Sequence, residues 1–134
     1  MNETIRVPIN SDKDIVAARQ SGRTLALSLG FSETDSTLIA TAISELARNI
    51  VTYAKKGEVR IRAERDTNRR GISVIAQDNG VGISNITLAL QDGFSTSGSL
   101  GLGLPGVKRL VDEFDIASQV GHGTVVAIRK WKPS

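Results

Sequence analysis

Gly98-Ser99-Leu100-Gly101-Leu102-Gly103-Leu104-Pro105-Gly106 is the stretch on which the reading of this chain turns. Its backbone N–H groups, unshielded by side chains, run straight into a helix: Pro105 suits a first helical turn, and Val107, Leu110, Val111 and Phe114 supply an apolar face after it. A helix N-terminus carries partial positive charge, so this arrangement suits phosphates. A flexible linker fits poorly, because the glycines alternate with leucines. Gly101, Gly103 and Gly106 also spell G-x-G-x-x-G, but the dinucleotide fingerprint needs a strand directly before the first glycine and an acid near the end of the next strand. Phe94 to Ser99 is polar and Gly-rich instead, and Val125 to Ile128 carries no acid. A Walker A Gly-Lys-Ser/Thr is absent, as is the motif set of eukaryotic-type protein kinases.

From Asp78 up to this run the hydrophobic period is lost, and so long an irregular stretch in a short chain is more often functional than idle. Before it, Val59, Ile61 and Ala63, then Ile72, Val74 and Ala76, alternate with polar residues on either side of Arg65 to Gly71. That pattern predicts a hairpin with Arg60, Arg62 and Glu64 outward. Ile5, Val7 and Ile9 predict another strand. Two helices are expected between them. Ser11 with Asp14 caps the first, whose stripe of Ile15, Ala18, Gly22, Leu25 and Leu29 ends at Gly30. The second starts near Ser32 to Asp35 and repeats Ile39, Ile43, Leu46, Ile50 and Tyr53 at steps of four and three. Asp115 to Val120 and Thr124 to Trp131 predict two closing strands around Gly121-His122-Gly123. Strands grouped in hairpins predict an α+β fold, a mixed, mostly antiparallel sheet with helices on one face.

The 134 residues suit a single domain, 1–134, and are too few for two ordinary ones. With 40% hydrophobic, 23% charged and 4% aromatic residues, the composition is globular with an aliphatic core, which excludes disordered and fibrous classes. The lack of Cys excludes a disulfide framework, thiolate metal sites and cysteine nucleophiles, and points to an intracellular protein. No apolar run approaches the roughly 18 residues of a membrane span, and MNETIRVPIN lacks the pattern of a signal peptide, so a cytoplasmic protein without a membrane partner is expected. The net charge of +3 includes a local excess at Lys55, Lys56, Arg60, Arg62, Arg65, Arg69 and Arg70. Glu58, Glu64 and Asp66 interrupt it, so it reads as a solvated sheet face, and no nucleic-acid partner is expected.

Three further patterns carry chemistry. Glu45 and Asn49 sit one helical turn apart at the edge of the apolar stripe, where a carboxylate beside an amide suits a hydrated Mg²⁺ and a base that receives a hydroxyl proton, or where the spacing taken alone simply gives two solvated helix residues. Asp78-Asn79-Gly80-Val81-Gly82 follows an apolar strand; its carboxylate can accept from an exocyclic amine such as that of adenine, or simply begin a turn. Gly121-His122-Gly123-Thr124 is a hairpin turn whose threonine can touch a nucleotide, with His122 as a turn residue rather than a catalyst.

The order of these elements is specific. Glu45-Leu-Ala-Arg-Asn49, Asp78-x-Gly80-x-Gly82, Gly98-x-x-Gly101-x-Gly103 and Gly121-x-Gly123-Thr124 resemble the N, G1, G2 and G3 boxes of the GHKL ATPase superfamily, whose Bergerat fold is a two-layer α/β sandwich. Within it, ISELARNI, DGFSTSGSLGLGLPGVKRLVDEF and the short length are similar to the switch serine/threonine-protein kinases of the bacterial stressosome, across essentially the whole chain. The resemblance implies ATP and Mg²⁺ as cofactors, Asn49 as the metal ligand and Glu45 as the base for the accepting hydroxyl. It implies that Asp78 holds the adenine amino group, that Gly80 and Gly82 shape the base pocket, and that Thr124 completes it. Gly98, Ser99, Leu100, Gly101, Leu102 and Gly103 would wrap the phosphates as an ATP lid, with Arg48 and Lys108 as phosphate neighbours on charge grounds. The implied partners are STAS-domain stressosome proteins (RsbS- and RsbR-like) as substrates and a PP2C-type phosphatase (RsbU-like) as activated target. Anti-sigma-factor kinases of the RsbW and SpoIIAB type share all four boxes and are the alternative. The second-domain lysine of gyrase-like and MutL-like ATPases has no counterpart here, which argues against a hydrolysis-driven clamp.

Overall fold

Two helices separate the first two strands, and that decides their relative direction. β1 (Ile5–Ile9) leads into α1 (Asp12–Ser28), the chain reverses into α2 (Glu33–Tyr53), and β2 (Gly57–Arg65) begins where β1 ended, with Ile9 opposite Gly57. A single crossover helix would have returned the chain to a parallel strand; a pair of antiparallel helices returns it antiparallel. β3 (Arg70–Asp78), α3 (Gly103–Leu110), β4 (Glu113–Gln119) and β5 (Gly123–Trp131) complete the elements of this computed structural model, which describes residues 4–82 and 103–133. The sheet order is β1-β2-β3-β5-β4. Every pairing among the described residues is antiparallel, so the sheet is simpler than the mixed one expected.

Local chemistry accounts for the helix starts. The Asp14 carboxylate accepts from the backbone N–H groups of Asn10 at 2.8 Å and Ser11 at 3.1 Å, and Ser32 Oγ accepts from Asp35 N at 3.0 Å. Along α1, Ile15, Ala18, Gly22 and Ala26 are buried, while the expected Leu25 and Leu29 are only partly so. Gly22 marks a close approach: a Cβ there would collide with Ile43 Cδ1 on α2. Ile39, Ile43, Leu46 and Ile50 of α2 are each at most 2% exposed, as the stripe predicts. Tyr53, read as its last member, is 46% exposed instead, since the final turn of α2 runs out to a chain reversal at Lys55, whose φ is 71°.

Sheet residues of alternating parity close the core beneath the helices: Val7, Ile9, Val59, Ile61, Ile72, Val74, Ala76, Val126 and Ile128. The opposite face is wet and ionic. Arg6 pairs with Glu58 at 3.0 Å, Arg62 with Glu64 at 3.5 Å and Arg69 with Asp66 at 2.6 Å, so the cluster of cations is laced with carboxylates.

The third helix is shorter than its apolar spacing suggests. It stops at Leu110, and Phe114 lies in β4 opposite Ile128 rather than on a helix face. Lys130 Nζ donates to the Leu110 carbonyl at 3.1 Å, and Asp112 accepts from Trp131 N at 2.7 Å, so the end of β5 captures the chain and the ladder prevails over helix propensity. Consequently β4 begins two residues before the expected Asp115, and β5 begins at Gly123 rather than Thr124.

At that end of the sheet, Trp131 Nε1 donates to Glu113 Oε2 at 2.6 Å and Arg129 Nη1 to Glu113 Oε1 at 2.9 Å. The indole donor, then Arg129, holds the Glu113 carboxyl below its ordinary range. Trp131→Phe removes the larger cause, so the Glu113 titration midpoint is expected to rise in an NMR pH titration. The sign follows from linkage: a depressed folded pKa contributes stability above the unfolded value, lost as pH falls through the folded one, so this contribution shrinks in the variant. An unmoved midpoint would discount the indole.

Candidate functional site

Antiparallel register brings together residues that the sequence keeps far apart. Asp78 at the end of β3 lies opposite Thr124 of β5, and Thr124 in turn lies opposite Ser118 of β4. All three belong to the helix-covered face, one register step beyond Ala76, Val126 and Ile116. A polar row thus borders an apolar one.

The Asp78 side chain is oriented by its own loop: Oδ1 accepts from Gly80 N at 2.9 Å, an Asx-type turn. Among the described residues no donor reaches Oδ2, which leaves it available to an amine from outside. Glycine is required where the neighbouring segments touch. Gly82 has φ 78° and a Cβ there would strike the Gln119 carbonyl; Gly123 has φ 92° and a Cβ there would strike the Asp78 carbonyl. Gly121 N donates to Val81 O at 2.9 Å across the same contact. Gly80 packs against Ala54 just past α2. His122 is exposed at the turn, its N–H bonded to Gln119 O at 2.9 Å, which agrees with a turn residue.

Glu45 lies on α2, nine residues before Ala54, or about 13 Å of helix from the Asp78 end. It is 6% exposed, deeper than the stripe edge suggested, because α3 packs against α2 there. Its carboxylate is held on both oxygens: Arg48 Nη1 donates to Oε1 at 2.9 Å, and Gly103 N, at the start of α3, donates to Oε2 at 3.3 Å. Burying a charge so deeply requires such partners, and the positive end of α3 adds to them. Arg48, read from sequence as a phosphate neighbour, therefore touches Glu45 directly, with its side chain 43% exposed. Asn49 is half-buried one residue further along, and Lys108 is exposed on α3. Of the expected phosphate-binding run, Gly103 is placed at Glu45, while Gly98, Ser99, Leu100, Gly101 and Leu102 lie outside the described residues.

Sequence reasoning missed Ser118. Its Oγ lies 2.7 Å from Thr124 Oγ1, a contact that follows once the two final strands are paired around Gly121 to Gly123. The signal was present in the hairpin register, not in any motif.

Comparison with known proteins agrees with this fold. Residues 34–134 match the family described as histidine kinase-, DNA gyrase B- and HSP90-like ATPase. The chain is 53% identical over 131 residues, 98% of each chain, to serine/threonine-protein kinase RsbT of Bacillus subtilis (strain 168). It is 34% identical over 99 residues to an anti-sigma F factor of Caldanaerobacter subterraneus subsp. tengcongensis, covering 69% of this chain and 68% of that one. Among solved structures, the mycobacterial sensor histidine kinase MprB superposes with a TM-score of 0.57 at 16% identity over 100% of both chains, which shows a shared fold. The expected two-layer sandwich is the observed one. The chain belongs to the histidine kinase-, DNA gyrase B- and HSP90-like ATPase family, and within it is a protein serine/threonine kinase.

Proposed function

We propose that this chain, acting as one GHKL-type unit over residues 1–134, phosphorylates serine or threonine on STAS-domain partners of a stressosome (RsbS- and RsbR-like). Once released from them, it binds and activates a PP2C-type phosphatase (RsbU-like). The observation that carries the reading is the buried Glu45 carboxylate, fixed by Arg48 and by the first amide of α3 where the Gly-rich run enters its helix. A carboxylate offers about four lone-pair positions, so two donors leave room for the hydroxyl of a substrate. Glu45 receives that proton as the oxygen attacks the γ-phosphoryl group of ATP in line. Asp78 and Thr124, with Gly80 and Gly82 shaping the wall, hold the adenine; Gly98 to Gly103 supply amides to the phosphates, with Arg48 and Lys108 near them.

Asn49 is the protein ligand for Mg²⁺ in this reading. Among the described residues no group of three His, Cys, Asp or Glu side chains forms a dedicated cage, and Mg²⁺ bound to a nucleotide needs none, since it keeps waters and takes phosphate oxygens. The ion would neutralise developing charge on the phosphoryl oxygens. Partners are proteins here rather than nucleic acid or membrane: the arginines of the outer sheet face are engaged by Glu58, Glu64 and Asp66. Among the described residues no helix is long and apolar enough to cross a membrane.

Incubating the purified chain with a STAS-domain partner, Mg²⁺ and γ-labelled ATP should give label on a Ser or Thr of the partner. Absence of label on any STAS protein offered would sink the substrate assignment. The likeness to anti-sigma F factors favours one second reading, an anti-sigma-factor kinase. Co-purification with a sigma factor, together with transfer to its antagonist, would favour that reading over the first.

A further inference from the structure

An open, mainly polar cleft of about 770 Å³ lies at the far end of the sheet, between the turn after β2 and the end of β5. Trp131, the single tryptophan of the chain, lines it. Its indole is held from several sides: Nε1 bonds Glu113 at 2.6 Å, the Arg69 guanidinium lies 4.0 Å from the ring centroid, and a Cβ at Gly71 would come to 2.7 Å from ring atom Cε3. The charges of the cleft balance in number but not in hydrogen-bonding capacity. Its carboxylates are engaged, Glu113 by Trp131 and Arg129, Asp66 by Arg69 at 2.6 Å, and Glu64 by Arg62 at 3.5 Å. Its guanidinium groups are not fully so. Each has five N–H donors. Arg129 Nη1 bonds Glu113, yet among the described residues its Nε has no partner and no carboxylate pairs with the exposed Arg65.

We infer that this cleft is a docking site for an acidic segment of a partner protein, whose carboxylates bind Arg65 and Arg129 while its apolar side chains lie against the Trp131 indole. The surplus of donors over acceptors is what selects an acidic occupant. Arginine and tryptophan are the residue types that most often dominate protein interfaces, and side chains already held in place lose little entropy on binding. An open cleft suits an extended segment of chain better than a small molecule, which needs an enclosed site. Docking here requires neither ATP nor Glu45. Trp131 lies opposite Gly71, and Gly71 is seven residues from Asp78 along β3, about 24 Å. The Trp131 side chain also belongs to the sheet face turned away from the helices, since Ile128 belongs to the covered one. A partner held in the cleft leaves the polar row at Asp78 open.

The test titrates the full chain with a short capped peptide in which glutamate alternates with leucine, and with its glutamine counterpart, following Trp131 emission. With a single tryptophan, that emission reports on the cleft itself. Physiological salt screens long-range attraction to the net charge of +3. The glutamate peptide should give a saturable change and the glutamine peptide little. Arg65→Ala should weaken the glutamate peptide about five- to tenfold, the worth of one partly exposed charged hydrogen bond. Lys13→Ala removes the same charge from the exposed side of α1 and should leave affinity within about twofold. Both variants should melt with the wild type, as neither residue is in an ion pair among the described residues. Equal binding of the two peptides, or equal weakening by the two variants, overturns the inference, because net charge or apolar contact alone would then explain it. So does the absence of a saturable response to the glutamate peptide. An oligothymidylate of equal charge that binds more tightly than the glutamate peptide overturns it in favour of a nucleic-acid partner.

Discussion

Glu45→Gln should leave ATP binding within about threefold of wild type and lower phosphoryl transfer by roughly 10²- to 10⁴-fold, the range of a lost general base. The substitution keeps the shape of the side chain, and its amide oxygen still accepts from Gly103 N or from Arg48. What disappears is the group that can take a proton. Arg48 is about half-exposed and can be hydrated when its partner is neutral, but the buried amide NH₂ then faces the second of the two donors, so a loss of stability of about 1–3 kcal/mol is expected. Single-turnover transfer, equilibrium nucleotide binding and thermal unfolding measured on one preparation separate these effects. Transfer within tenfold of wild type would remove Glu45 from the base role; weakening of ATP binding in step with transfer would make it a binding residue.

Asp78→Asn should act at the other end of the site. Its oxygen can still accept from Gly80 N, so the turn after β3 is preserved and the melting temperature should scarcely move. The position of Oδ2, however, can now present an amide N–H to an incoming amine, donor against donor. Loss of a charge-assisted hydrogen bond is worth about 1.5–3 kcal/mol, so ATP affinity should fall roughly 10- to 150-fold. Maximal transfer at saturating ATP should change far less, since the purine end is remote from the transferred group. A variant with wild-type affinity would show that the base lies elsewhere. The same variant also separates two outputs: normal phosphatase stimulation without bound nucleotide would mean that stimulation depends on surface alone.

The outcome at particular positions shows where sequence suffices. Ile39, Ile43, Leu46 and Ile50 recur at helical spacing and are all buried, and the alternation in Val59 to Ala76 becomes a hairpin with the expected side inward. Such patterns are legible because burial follows backbone period, which is local. Tyr53 and Phe114 fit the same periods and depart from them. One lies where α2 runs out to a chain reversal, and the other where Asp112 and Lys130 tie the chain to β5. Period alone does not contain the partner that ends an element.

For the site the division is similar. Residue order along the chain was enough to identify the family and to nominate Glu45, Asn49, Asp78 and Thr124, because box motifs record which residue types a phosphate and a purine demand. Tertiary structure decided what those residues touch. That Glu45 is bound by both Arg48 and the first amide of α3, and that Asp78, Thr124 and Ser118 share one row, depends on helix packing and strand register. Hydrogen bonds between residues as distant in sequence as Glu45 and Gly103 arise only when the apolar faces of α2 and α3 meet, and no local propensity specifies them.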